Sequence, residues 1–211
     1  MAIKILITAG PTWVPVDSIR VISNIATGQT GIALAEAAKR TGSKVTLILG
    51  PVYSDYQRAA VRILRFRYFN DLKKIIAEEL SSRKYDLIIH SAAVSDFSAA
   101  GYKGKISSDK NHKLILKPLP KIVKVIRRLA PKAKLVIFKL ESGVSESTLI
   151  QRARRSQVQV RADIVVANMI NPYRAFIIDK EGKTLRVRNK VELVNRLLKI
   201  TTRTYNLAPR T

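Results

Sequence analysis

The chain has 211 residues, 46% of them hydrophobic, which supports one sizeable core over residues 1–211 and is short for two domains. The absence of cysteine excludes disulfides, thiolate metal ligands and a cysteine nucleophile, and two histidines, His90 and His112, are too few for a histidine-rich metal centre. A total of 39 Lys and Arg against 15 Asp and Glu leaves a formal charge of +24, which favours anionic partners. Three origins fit that charge: a solvated basic surface, attraction of polyphosphate ligands, or nucleic-acid binding, although no aromatic-interleaved RNA motif accompanies it. No apolar run approaches the ~20 residues of a membrane span, and the first residues lead straight into a strand pattern. A cytoplasmic protein without a signal peptide is expected.

Ile3, Ile5, Leu6 and Ile7, interrupted by Lys4, form the apolar run of a strand covered on both faces. A helix over residues 28–40 follows, packing through Ala33, Leu34, Ala37 and Ala38 and stopped by Thr41-Gly42. The connection between them takes about eighteen residues, where a strand-to-helix link usually takes about two to six. Ordering such a loop costs entropy, so its length and its cargo of Trp13, Asp17, Arg20, Ser23 and Asn24 argue for function. Residues 44–49 read as a second strand ended by Gly50-Pro51, and residues 61–66, alternating apolar and basic, as a third nearer an edge. Asn70-Asp71 offers an N-cap for a helix to residue 80, and Asp86 precedes an apolar strand over residues 87–90. This is the rhythm of an α/β, Rossmann-like, doubly wound and mostly parallel sheet.

Residues 91–106 break the rhythm. Ser91, Ala92, Ala93 and Asp96 follow the carboxyl end of a strand, where open α/β sheets place their ligands. Residues 101–105 form a glycine-containing basic loop, and residues 113–117 read as a short strand folding back on residues 105–107 as an inserted flap. Pro118-Leu119-Pro120 opens a helix to about residue 129. A buried strand over residues 134–140, a helix over 145–160 and a strand over 164–167 ending at Asn168 come next. Residues 174–178 and 185–188 flank a turn containing Gly182 as an antiparallel C-terminal hairpin, and residues 191–202 form a last amphipathic helix.

Neither standard nucleotide fingerprint is present, since Gly10, Gly28 and Gly31 are split across the long loop. Gly28 and Gly31 fit either tight helix–sheet packing or a phosphate resting on exposed helix-start amides. Asn24 fits either a turn or an amide presented to a carbonyl or acyl group. Lys105 fits either a solvated charge or a mobile cation that closes over phosphates. Asp96 and Glu141 have bland alternatives as a turn cap and an ion-pair partner, and His90 reads as a packed core histidine.

The run ITAGPT…VDSIRVISNIATGQTG, followed by AAVSDF, GKI, FKLES and ADIVVAN, resembles the phosphopantothenate–cysteine ligase (phosphopantothenoylcysteine synthetase) family from Ile5 to about Leu198. The resemblance implies an enzyme of coenzyme A biosynthesis that joins 4′-phosphopantothenate to L-cysteine. CTP or ATP, with Mg²⁺, would activate the carboxylate as an acyl-nucleotidylate and release pyrophosphate. It places Asn24 on the acyl intermediate and Lys105 on the triphosphate. Ser91, Ala92, Ala93, Asp96, Pro120, Lys121, Ile122 and Phe138 fall on the nucleotide side, and Gly10, Arg20, Gly28 and Gly31 join Asn24 on the substrate side. No dedicated metal cage is implied. The resemblance also implies a homodimer, with the late hairpin as a contact, and a flavin-dependent decarboxylase supplied by a separate chain.

The departures from that pattern are specific. Val14 stands where an acidic residue is usual, Gln29 where a basic one is, and only Lys105 survives of a K-x-K-K flap that here reads Lys105-Ile106-Ser107-Ser108. Two late lysines fall on Ser156 and Val160, with Arg154, Arg155 and Arg161 nearby as candidate substitutes. Three rivals follow: a non-catalytic relative that binds nucleotide or phosphopantothenate, a basic nucleic-acid-associated protein, and an NAD(P)-dependent reductase, which the absent glycine fingerprint opposes.

Overall fold

The structure is a computed structural model and describes residues 2–52, 56 and 61–206, with side chains as far as residue 202. In chain order the elements are β1 (Lys4–Ala9), β2 (Trp13–Pro15), β3 (Val21–Ser23), α1 (Gln29–Arg40), β4 (Lys44–Leu49), β5 (Arg62–Arg65), α2 (Phe69–Ser82) and β6 (Leu87–His90). The second half continues with β7 (Phe97–Ala99), β8 (Leu116–Pro118), α3 (Ile122–Leu129), β9 (Lys134–Leu140), α4 (Glu146–Val160), β10 (Ile164–Met169), β11 (Arg174–Asp179), β12 (Thr184–Val187) and α5 (Lys190–Asn206).

Eight strands make one sheet in the order β12-β11-β10-β9-β6-β1-β4-β5. From β10 to β5 every pairing is parallel, and β11 and β12 add an antiparallel hairpin. Strand alternation divides the core. Ile5, Ile7, Leu47, Leu49, Leu87 and Ile89 face α1 and α5, whereas Leu6, Ile48 and Ile88 face α2, α3 and α4 through Leu72, Ile76, Ile126 and Leu149. The chain moves outward one way from β1 through β4 to β5, then returns and moves the other way through β6, β9 and β10. The winding therefore reverses between β1 and β6, and the loops at their carboxyl ends flank the crevice where such sheets bind ligands.

The doubly wound, mostly parallel sheet with its late hairpin matches the expectation, and three details differ. The long first connection is itself ordered as a β2–β3 hairpin, Trp13 pairing with Ser23 and Pro15 with Val21. Helix α2 begins at Phe69, because Asp71 closes its start from inside: its Oδ2 accepts from the amides of Arg67 and Tyr68 at 3.2 and 3.0 Å. The short strand at residues 116–118 pairs with β7 and not with residues 105–107, since Asp17 captures the Ile106 amide. Among the described residues no helix is long and apolar enough to cross a membrane.

Candidate active site

The reversal crevice is lined by backbone brought unusually close. Gly10 (φ 80°) and Gly28 (φ 71°) occupy the left-handed region, and a Cβ on Gly28 would stand 2.8 Å from Val52 Cγ1 and 3.4 Å from Gly10 Cα. Gly50, the residue after β4, meets the Pro11 carbonyl so closely that a Cβ would lie 2.4 Å from its oxygen. Gly31 seats α1 on β1, where a Cβ would lie 2.4 Å from Ala9 Cβ and 2.7 Å from Ser91 Oγ. Both readings of the glycine pair therefore survive: Gly31 packs the helix, and Gly28, the α1 N-cap, leaves the helix-start amides at the crevice with no acidic residue in the first turn.

The segment after β6 is stitched to the segment after β1. Ser91 Oγ donates to Thr8 O at 2.7 Å, Ala93 N to Gly10 O at 3.0 Å, Thr12 N to Ala93 O at 3.3 Å, and Ser95 N to the buried Thr12 hydroxyl at 2.8 Å. Asn24, just past β3, lays its side chain on this seam, Nδ2 donating to Ala93 O at 3.0 Å, while Ser23 Oγ donates to Thr12 O at 3.2 Å. Asn24 is exposed, and its Oδ1 has no protein partner among the described residues.

The flap is fastened to the same hairpin by one carboxylate. Asp17, whose side chain is fully covered, accepts from Ile19 N and Arg20 N through Oδ1, and from Arg20 Nη1 (2.7 Å) and Ile106 N (3.2 Å) through Oδ2. Arg20 Nη1 also donates to Ile106 O, Ser18 N to Gly104 O at 3.2 Å, and Tyr102 N to Val16 O at 2.8 Å. Burial pushes the Asp17 carboxyl up, but the three amides and the Arg20 guanidinium outweigh it and hold it at about 2. Lys105, between Gly104 and Ile106, is thereby presented exposed on a segment clamped to the loop that carries Asn24.

Asp96, expected beside a nucleotide, is ion-paired with Lys121 Nζ at 2.5 Å, and its carbonyl accepts from Leu119 N. Pro120 is exposed, Ile122 is 3% exposed in the core beneath α3, and Phe138 is half-buried one register step past His90 and Ile137. Ser91 and Ala92 form the seam with Ala93. Arg154 donates to Gly182 O at the late hairpin, and α4 runs toward the amino edge of the sheet, which takes Arg154, Arg155 and Arg161 away from Asn24 within this chain. Val14 is buried on β2 and Gln29 exposed at the helix start. Glu141 pairs with Lys139 and Arg152. His90 sits 2.8 Å from the Thr8 hydroxyl, and burial pushes its imidazole down to about 4, so it is neutral at pH 7. Sequence reading gave no role to Thr8 and Thr12; their signal is a buried hydroxyl at the end of an apolar strand, visible once β1 and β6 are known to be neighbours.

A family model, DNA/pantothenate metabolism flavoprotein C-terminal domain, matches residues 1–203. The chain is 34% identical over 201 residues to the coenzyme A biosynthesis bifunctional protein CoaBC of Thermococcus kodakarensis, covering 92% of this chain and 49% of that protein. The DNA/pantothenate metabolism flavoprotein of Streptococcus pneumoniae has the same fold with a TM-score of 0.86 at 28% identity, over 97% of this chain and 100% of that one. A Cab2 mutant in complex with phosphopantothenate-cysteine shares the fold with a TM-score of 0.74 at 20% identity, over 97% of this chain and 86% of that one. The chain spans about half the length of the curated relatives it matches. A family match that runs through the glycine turn, the Asn24 hairpin and the flap alike settles the kinship: the chain belongs to the DNA/pantothenate metabolism flavoprotein C-terminal domain family.

Proposed function

We propose that the chain is a phosphopantothenate–cysteine ligase acting in coenzyme A biosynthesis in the cytoplasm. CTP or ATP activates the carboxylate of 4′-phosphopantothenate as an acyl-nucleotidylate with loss of pyrophosphate, and the amine of L-cysteine displaces the nucleotide to form the amide. The observation that carries the reading is the joint anchoring of Asn24 and the Lys105 flap on one loop at the reversal crevice. Asn24 offers a fixed N–H donor to the oxygen on which charge develops, and Lys105 a cation to the leaving phosphates. Gly10, Gly28, Gly31 and Arg20 border the substrate, and the seam residues with Pro120, Lys121 and Phe138 border the nucleotide. Mg²⁺ would enter with the triphosphate and neutralise charge on its phosphates, with no dedicated cage of side chains required.

The exposed apolar side chains Ile19, Val21, Ile22 and Ile25 on the hairpin, with Ile115 and Leu116 on the flap arm, support a homodimer whose partner covers this mouth. Incubation with phosphopantothenate, cysteine and CTP or ATP tests the ligase reading. Pyrophosphate should appear only with nucleotide and acid together, and the amide only when cysteine is added. A second reading, a relative that binds nucleotide without turnover, is favoured by the engagement of Asp96 with Lys121; tight nucleotide binding without pyrophosphate would establish it.

A further inference from the structure

The amino-terminal edge of the sheet holds a cleft of about 440 Å³ that the chemistry above does not use. Strand alternation explains its character. On the face covered by α2, positions Leu6, Ile48 and Ile88 are buried and apolar, but toward the strand starts the same face continues as Lys4, Lys44, Thr46 and Arg62. Register sets Lys4 beside Lys44 and, two residues further along the same face, Thr46 beside Arg62, so the four form one patch across β1, β4 and β5. Helix α2 ends at Ser82 before covering them, and Lys84 and Tyr85 complete the wall.

The floor is preorganised. Glu79, 4% exposed, accepts from Arg62 Nη1 at 2.6 Å and from the Tyr85 hydroxyl, with Arg83 Nε at 3.5 Å; the Tyr85 hydroxyl also lies 2.9 Å from Thr46 Oγ1. This ring satisfies the buried carboxylate and fixes the Arg62 fork in the wall. The ammonium groups of Lys4, Lys44 and Lys84 have no carboxylate within ion-pair distance among the described residues. Two features oppose an anion, the Asp86 carboxylate held by the Lys4 amide at 2.8 Å and the carbonyl end of α2. Five cationic side chains against Glu79 and Asp86 still leave the cleft positive, and its volume suits a small ligand, not a strand of nucleic acid.

We propose that this cleft is a second ligand site, binding a small organic phosphate with its anionic head on Lys44, Lys84 and Arg62 and its apolar body against the Tyr85 ring, at the edge of the sheet opposite the candidate active site. Lysine acylation read residue by residue by mass spectrometry tests it, with phenyl phosphate and inorganic phosphate as probes. Phenyl phosphate should protect Lys44 and Lys84 at concentrations several-fold below inorganic phosphate, with Lys199 unprotected. The double substitution Lys44→Gln/Lys84→Gln should raise the concentration that half-protects Lys4 by about tenfold or more, leaving Lys105 acylation as in the parent protein. Unchanged acylation of Lys44 and Lys84 under phenyl phosphate overturns the proposal, as does protection by a single-stranded oligonucleotide alone. Equal potency of the two probes removes the apolar body from it.

Discussion

Replacing Gly31 by alanine sets two effects of known size against each other. Within α1 an alanine is favoured over glycine by about 1 kcal/mol through helix propensity. Against it, the new Cβ would stand 2.4 Å from Ala9 Cβ and 2.7 Å from Ser91 Oγ, where carbon contacts prefer about 3.5–4.0 Å. Neither neighbour can swing aside. Ala9 is 0% exposed within β1, and Ser91 Oγ is committed to Thr8 O. Helix α1 must therefore retreat by about 1 Å, and overpacking of this kind costs about 1–3 kcal/mol or more. With both neighbours fixed the cost falls in the upper part of that range, about 2–3 kcal/mol, so a net loss of about 1–2 kcal/mol is expected, which at this chain length lowers Tm by about 2–8 °C. Calorimetric unfolding of Gly31→Ala beside Ala33→Gly, a half-buried position of the same helix, separates the contributions, since the second substitution loses the propensity term and one methyl contact with the core but creates no clash. A Gly31→Ala protein that melts at or above the parent temperature would refute the close packing of α1 on β1.

Asn24→Ala should slow amide formation by about 10²–10³-fold while nucleotide binding persists, and an unchanged single-turnover rate would remove the side chain from the chemistry. Lys105→Gln should weaken nucleoside triphosphate affinity by about tenfold or more, measured by calorimetric titration; equal affinity would detach the flap from the phosphates. Asp17→Asn should accelerate hydrogen exchange at the Ile106 amide, and unaltered exchange would show that the flap is held elsewhere. Because the folded Asp17 titrates at about 2, below its ordinary 3.8, its stabilisation is present above 3.8 and lost as pH falls toward 2, and Asp17→Asn should flatten stability in that window. His90 titrates at about 4 when folded against 6.5 when free, so unfolding takes up a proton between those values and stability should fall as pH drops from 6.5 to 4. His90→Gln should shrink that slope in urea titrations; an identical slope would place its origin in other groups.

The sheet was legible where burial on both faces writes itself as a mostly apolar run, as in residues 44–49, 87–90 and 134–140, whose ends match β4, β6 and β9. The hairpin of β2 and β3 was not, because its strands are three residues long, include Pro15 and leave Val21 and Ile22 exposed. What orders it is remote: the Ala93 carbonyl, the Arg67 carbonyl and the Gly104 carbonyl. The partner of β8 was misread for the same reason, since nearness in sequence favoured residues 105–107 while a carboxylate 89 positions away had claimed them. Asn24, Lys105 and Asp96 were singled out by position, in the long loop, the basic flap and the strand end, and the resemblance implied their roles. Gly50 joins them only when the Pro11 carbonyl is seen passing over it.

The clamp between Asp17 and Ile106 also dictates when the mouth of the molecule can exist. Residues 2–52 and 61–90 contain four adjoining strands, β5-β4-β1-β6, and two covering helices, so half the sheet is available to a nascent chain as soon as its first hundred residues emerge. Asp17 then waits, its carboxylate held by the Ile19 and Arg20 amides and the Arg20 guanidinium, until residues 102–106 arrive to close the rim. During synthesis this half of the sheet therefore precedes the rim that carries Lys105.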